Sequence, residues 1–161
     1  MENKTDEYYI KKCIKLAEKS VNNGEAPFGS LIVQNGKIIA AATNANEKRH
    51  DVTSHAEIMA MRLAQRKLNS KDLKDCEIYS NCEPCAMCSF MIRELHFKKV
   101  VFAVHSPNMG GYSHWKILKD KKLAKIKPFY TEPPQVKGGI LEKEAKETFK
   151  KIGWGGFFEP L

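Results

Sequence analysis

Apolar positions recur along this chain first at a helical period and then at a strand period, and the change of period marks out its elements. Ile10, Cys13, Ile14, Ala17 and Val21 fall on one side of a helix whose other side is polar, and Asn23-Gly24 ends it. Ser30 to Val33 and Lys37 to Ala42 are β-like runs joined by Asn35-Gly36, a pair suited to a tight hairpin turn. Ala56, Met59, Ala60, Leu63 and Ala64 mark a second helix that begins at His55. Glu77 to Ser80 reads as a buried strand, and Pro84 opens a third helix running to about Leu95. Lys99 to Val104 has the apolar character of a central, parallel strand. After a loop rich in Gly and Asn, Pro107 to Gly111, the pattern predicts a short helix around Trp115 to Leu118. A strand near Pro128 to Thr131 and a last helix from Leu141 to Ile152 follow. Strands that alternate with helices after a hairpin predict a layered α/β domain with a mixed sheet.

Composition narrows the setting. A length of 161 residues predicts one domain, 1–161, with a C-terminal tail at about 153–161. Five cysteines is an odd number and supplies no disulfide framework, which suits a reducing compartment. Met1 to Glu7 is polar, with no apolar stretch resembling a signal peptide, and purely apolar runs such as Val100 to Val104 are too short to span a bilayer. The expectation is a soluble, cytoplasmic protein with no membrane partner. The net charge is +8, yet only four of the 27 basic residues are arginine: Arg49, Arg62, Arg66 and Arg93. Arginine is the residue favoured for bidentate phosphate and base contacts. Apart from a cluster at Lys116 to Lys127 the lysines are spread out, so the charge reads as a solvated surface before a nucleic-acid face.

Two short segments carry the chemistry, His55-Ala56-Glu57 and Pro84-Cys85-Ala86-Met87-Cys88. One histidine and two cysteines hold zinc and leave its fourth position open, the mark of a catalytic site. Both segments open helices, where free N–H groups and the positive dipole end favour thiolates and anions. Cys85 and Cys88 share a helix face, and Glu57 projects towards the metal without binding it. The pattern is the signature of zinc-dependent deaminases. In that chemistry zinc lowers the pKa of bound water to about 7, and a carboxylate such as Glu57 takes the proton, delivers it to a ring nitrogen and then protonates the leaving amine. A rival reading adds Cys82 as fourth ligand and makes a closed, structural zinc site in a nucleic-acid-binding module. Cys13 and Cys76 read as core residues, and His50, His96, His105 and His114 as solvated or packed side chains. Trp115, Trp154, Phe157 and Phe158 are aromatic groups able to stack on a base or to pack in the core.

The stretch from about Pro27 to Leu141 resembles the cytidine and deoxycytidylate deaminase superfamily. The resemblance is carried by Pro27-Phe28-Gly29, Asn44, the run Arg49 to Glu57, Glu83 to Cys88 and Val100-Val101-Phe102. It is closest to the branch of tRNA adenosine deaminases, guanine deaminases and fungal cytosine deaminase. It implies a three-layer α/β/α fold with a five-stranded mixed sheet, a homodimer, and one zinc per chain on His55, Cys85 and Cys88, with Glu57 catalytic. It further implies that Asn44 and the backbone at Ala56 contact the substrate and that Phe28 lines the pocket.

Substrate is read from departures. Bacterial tRNA adenosine deaminases typically carry D-x-K-T-G-A after the fourth strand, where this chain has Ser106-Pro107-Asn108-Met109-Gly110-Gly111, and small residues where it has Ser89-Phe90-Met91. Guanine deaminases usually place an acidic residue in the next loop, and Gly111-Tyr112-Ser113-His114 has none; Glu159 in the tail is a weak substitute. The expectation is a small-molecule substrate, a free nucleobase or nucleoside of guanine or cytosine type, turned over at a rate nearly independent of salt. tRNA adenosine is the alternative.

Overall fold

The computed structural model describes residues 4–161, so the first three residues of the polar Met1 to Glu7 stretch lie outside it. Helix α1, Asp6–Asn22, starts where the Thr5 hydroxyl accepts the Tyr8 N–H at 3.3 Å, with Asp6 and Glu7 at its positive dipole end. Strands β1, Gly29–Gln34, and β2, Lys37–Thr43, form the expected hairpin. Asn35 and Gly36 both take positive φ, 49° and 72°, as its two-residue turn requires. A short helix α2, Asn46–Arg49, precedes α3, Ala56–Leu68. Then come β3, Cys76–Cys82, α4, Ala86–Glu94, and β4, Lys99–Val104. The chain closes with β5, Gln135–Lys137, and α5, Glu142–Lys151.

The five strands form one sheet in the order β2-β1-β3-β4-β5. β1 runs antiparallel to β2 and β3, and β3, β4 and β5 are parallel, so the sheet is mixed. Alternate residues build two cores. Leu31, Val33, Tyr79, Val101 and Ala103 meet α1 and α5, whereas Ile32, Ile78, Val100 and Phe102 meet α3 and α4. Helices cover both faces, which is the expected three-layer architecture. Each fully buried aliphatic side chain contributes about 1.5–3 kcal/mol, and β4, buried from Val100 to Val104, is central as its composition predicted. No helix among the described residues is long and apolar enough to cross a membrane.

Two local expectations shift. The fifth strand is Gln135–Lys137, not Pro128 to Thr131. The Thr131 carbonyl accepts a hydrogen bond from Arg93, and only beyond Pro133-Pro134 does Val136 come level with Val100. The helix near Trp115 is a single turn, Ile117–Lys119.

The sheet is clipped to α1 by Asp6, whose carboxylate accepts hydrogen bonds from Lys99 Nζ at 2.6 Å, the Tyr79 hydroxyl at 2.8 Å and Lys137 Nζ at 3.1 Å. Burial opposes the charge on Asp6, but these three donors outweigh it and hold the carboxyl below its ordinary 3.8. Because the folded-state pKa is the lower one, the stability it supplies is present above pH 4 and is lost as the pH falls through 3.8 and below. Asp6→Ala is expected to cost about 1–3 kcal/mol at neutral pH. Urea unfolding should show that loss shrinking towards zero in acid.

Candidate active site

Two helix starts meet beyond the C-terminal end of β3. His55 is the residue before the first turn of α3 and Cys85 the residue before the first turn of α4, both in extended backbone, and neither side chain caps its own helix. Their side chains are therefore left to turn towards each other. The approach to His55 is shaped by Asp51, whose carboxylate accepts the Thr53 N–H at 2.8 Å, the Thr53 hydroxyl at 2.7 Å and the Ser54 hydroxyl at 2.9 Å. The approach to Cys85 is shaped by the loop after β4: Gly111 N–H donates to the Pro84 carbonyl at 2.8 Å, and Gly110 pairs with Cys85 in an isolated bridge.

His55 Nδ1 lies 3.6 Å from Cys85 Sγ and 3.6 Å from Cys88 Sγ. A tetrahedral zinc with Zn–S of about 2.3 Å and Zn–N of about 2.0–2.1 Å requires an S···N separation of roughly 3.6 Å. The donor set and its spacing thus fit zinc. Among the described residues these three are the only group of three or more placed to share a metal. Cys82 is not in that group: it ends β3 in register with Val104 and is buried in the strand. Cys82 lines the same pocket, but its ligand atom does not join the three that lie within 4.8 Å of one another, so the four-ligand, closed zinc site is not formed.

The electrostatics are those of a waiting cation site. The Cys88 thiol hydrogen-bonds Cys85 and, with His55, draws the Cys85 thiol down to about 4, against the effect of burial. The same hydrogen bond to Cys85, and burial, push Cys88 up. The hydrogen bond to Cys85 raises His55. Glu57, in the first turn of α3, is 4% exposed. Burial, and then the Cys85 thiolate, push its carboxyl above the ordinary range. The Ser80 hydroxyl donates to Glu57 Oε1 at 3.3 Å, and Oε2 lies 3.7 Å from Cys88 Sγ.

A pocket of about 250 Å³ opens over this cluster, lined by His55, Glu57, Cys85, Phe28 and Asn44. Asn44 is buried, and its Oδ1 accepts the Ala56 N–H at 3.1 Å. That bond orients the Asn44 amide and occupies the Ala56 N–H, and Ala56 itself does not line the pocket. Phe28 is set by the turn before β1: Gly29 N–H donates to Asn81 Oδ1 at 2.9 Å, and Asn81 Nδ2 donates to the Pro27 carbonyl at 2.9 Å. A Cβ at Gly29 would overlap Leu16 and the Cys13 carbonyl of α1, so only glycine lets the helix pack this close.

Other residues enter the site that the sequence pattern did not assign to it. Met109, Trp154 and Phe157 line the pocket. Glu83 is buried and accepts from Ser106 N–H at 2.8 Å, Tyr112 N–H at 2.9 Å, Ser113 N–H at 2.6 Å and the Ser113 hydroxyl at 2.7 Å. A Cβ at Gly110 would collide with that carboxylate. The available signal was an acidic residue wedged between Cys82 and Pro84. The remaining histidines are elsewhere: His50 is a left-handed cap of α2, His96 bonds Asp72 and the Phe129 carbonyl, His105 lies near Glu142, and His114 bonds the Pro107 carbonyl.

Elemental analysis of purified protein should find one zinc per chain. Cys82→Ser is expected to keep that zinc and Cys85→Ser to lose it. Equal loss from both variants would restore Cys82 to the metal.

Comparison with known proteins agrees with this geometry. Residues 3–104 match the family described as the cytidine and deoxycytidylate deaminase zinc-binding region. The tRNA-specific adenosine deaminase of Aquifex aeolicus is 40% identical over 147 residues, covering 91% of this chain and 95% of that one. A solved structure from work on A-to-I editing by tRNA:A34 deaminases superposes with a TM-score of 0.79 at 26% identity, covering 88% of this chain and 98% of that one. Guanine deaminase from Bacillus subtilis reaches a TM-score of 0.63 at 38% identity, but over 65% of this chain and 68% of that one. The similarity at 40% identity across nearly the whole of both chains is to a protein named for tRNA, which overturns the expectation of a free guanine- or cytosine-type base or nucleoside. Two of the grounds for that expectation also fail physically. Phe90 is 43% exposed on α4 and does not line the pocket, so its bulk does not narrow it. The altered loop still reaches the pocket, through Ser106 and Met109. With a zinc-ligand triad, a buried glutamate beside it and end-to-end relatives, the chain belongs to the cytidine and deoxycytidylate deaminase family.

Proposed function

We propose that this protein is a tRNA-specific adenosine deaminase that converts adenosine to inosine at the wobble position. The observation that carries the reading is 40% identity to the Aquifex aeolicus enzyme across nearly the whole of both chains. The pocket agrees with it. At about 250 Å³ it lies below the usual range of roughly 300–1,000 Å³ for small-molecule sites, a size suited to one flipped base whose sugar and phosphates stay outside.

His55, Cys85 and Cys88 would hold zinc, which when bound supplies a water activated as a nucleophile at neutral pH. Glu57 takes a proton from the attacking water and delivers it to adenine N1, which makes C6 electrophilic. The same carboxylate then takes the proton of the new C6 hydroxyl and passes it to the exocyclic amine as the C6–N bond breaks and the C6 carbonyl forms, so water and adenosine give inosine and ammonia. Burial suits Glu57 to this exchange because it raises the carboxyl towards the working pH. Ser80 holds Oε1, leaving Oε2 to move the proton. Asn44 is fixed by its bond from Ala56 and presents the rest of its amide to the base, while Phe28 supplies an apolar wall.

Glu57→Ala should keep its zinc and its fold yet lose about 10²–10⁴-fold in turnover, chiefly in kcat. Retention of a tenth of the parent rate would remove Glu57 from the proton path. Inosine formation should be efficient in a tRNA whose wobble base is adenosine and weak on free adenosine, adenine, guanine or cytosine. Ammonia release from any of those small molecules at a rate matching the tRNA would sink the proposal.

A further inference from the structure

Beyond the pocket, the loop after β4 builds a second surface. Trp115 is 57% exposed; its backbone N–H donates to the Gly110 carbonyl at 2.9 Å, and the His114 ring meets the indole edge-on at 4.7 Å. Gly110 in turn pairs with the zinc-side residue Cys85, and its neighbour Met109 lines the pocket. Trp115 is therefore a presented aromatic face connected by backbone bonds to the rim of the site.

Lys116, Lys119, Lys121 and Lys122 follow it around a cleft of about 530 Å³, with Asp120 as the one acidic neighbour in the lining. The Asp120 carboxylate accepts the Lys122 backbone N–H at 2.7 Å. Among the described residues none of these four lysines is ion-paired. Lys119 lies over the Tyr112 ring at 4.4 Å. The segment is not a loose loop. Arg93, 2% exposed on α4, donates to the carbonyls of Ile117 at 2.6 Å, Asp120 at 2.9 Å and Thr131 at 2.9 Å, and Ile117 and Leu118 are buried beneath the lysines. Arg93 stands eight residues beyond Cys85 on the same helix, about 12 Å along it at 1.5 Å per residue. A buried guanidinium bonded to three neutral carbonyls fixes the lysine-bearing backbone to the helix that carries Cys85 and Cys88.

We propose that Trp115 and Lys116, Lys119, Lys121 and Lys122 form the surface that grips RNA beside the flipped base, with phosphates on the lysines and an unpaired base stacked on the indole. The proposal rests on the reading of the chain as a tRNA deaminase. An enzyme acting on one nucleotide of an RNA must hold the flanking ones outside its pocket. Single-stranded nucleic acid is held by cationic tracks combined with exposed aromatic rings, and this surface offers both, immobilised on the segment that leaves the pocket rim at Met109. An acidic protein would suit the lysines but would leave the exposed indole without a role.

Fluorescence anisotropy with the zinc-loaded enzyme and a labelled anticodon stem–loop, from 50 to 200 mM salt, tests it. Trp115→Ala should weaken binding roughly 5- to 100-fold, the range for loss of one base–aromatic stack. Replacing Lys119, Lys121 and Lys122 by Gln should lower the salt slope by about 2, at roughly 0.7 per phosphate contact. Replacing Lys11, Lys15 and Lys143 by Gln, which removes the same charge from exposed sites elsewhere, should change the slope little. The surface assignment fails if the two triple variants behave alike, if Trp115→Ala binds as the parent does, if the parent does not bind the RNA, or if only an acidic peptide binds in a Trp115-dependent manner. Inosine formation by the parent is read in parallel. RNA gripped through this surface but never deaminated would sink the functional reading alone, whereas deamination with indifferent variants would sink the surface alone.

Discussion

One imidazole nitrogen 3.6 Å from two thiols is the constraint around which the rest of this structure is organised. One imidazole and two thiols at that spacing match the donor separations of a tetrahedral zinc site. The chain supports them by ending β3 where α3 and α4 begin. Neither His55 nor Cys85 caps its own helix, so both helix N-termini aim their free N–H groups and dipoles at the same point. The parallel pairing of β3 and β4 fixes where α4 starts, and packing of α3 on β1 and β2 fixes where His55 sits. A shift of either helix by a residue would rotate its ligand away from the point by about 100°.

A second carboxylate connects this centre to the variable part of the molecule. Glu57 and Glu83 both line the pocket, and Glu83, next to Pro84, gathers the backbone from Ser106 to Ser113 through four hydrogen bonds. A buried carboxylate is costly unless its lone pairs are satisfied, and here the donors that satisfy it are the loop itself. The loop is thus folded around a residue of the metal-binding segment. Gly110 is the position at which it passes closest, and any Cβ there would displace the carboxylate. This explains how a loop that departs in sequence from those of tRNA deaminases still returns to the pocket rim.

The substrate expectation failed for a reason that is physical and local. Phe90 and the altered loop were weighed as if every departure near the cysteines altered the pocket. On a helix, a residue five positions after Cys85 is about 140° round the axis from it, and Phe90 sits on the outer surface. Scarcity of arginine does not bear on the lysine cluster at Lys116 to Lys127, which is already visible in the sequence. Lys116, Lys119, Lys121 and Lys122 are gathered around one cleft by Arg93, an arginine that is itself hidden in the interior.

The amino-acid sequence alone was enough for the elements that depend on local period and punctuation. These are the amphipathic α1, the Asn35-Gly36 hairpin, the apolar β4, and the helix starts at His55 and Pro84. It was enough, too, to pick out His55, Cys85 and Cys88, which the fold brings within metal-binding distance, because a metal site calls for those residue types wherever the chain can converge them. The short β5 was misplaced because its pairing with β4 is a long-range contact that no local pattern announces. The bond between Asn44 and Ala56, the Glu83 cradle, and the pocket walls from Met109, Trp154 and Phe157 were decided only by tertiary structure. Each depends on segments far apart in the chain being brought within a hydrogen bond or a van der Waals contact, and that proximity is set by how the layers pack.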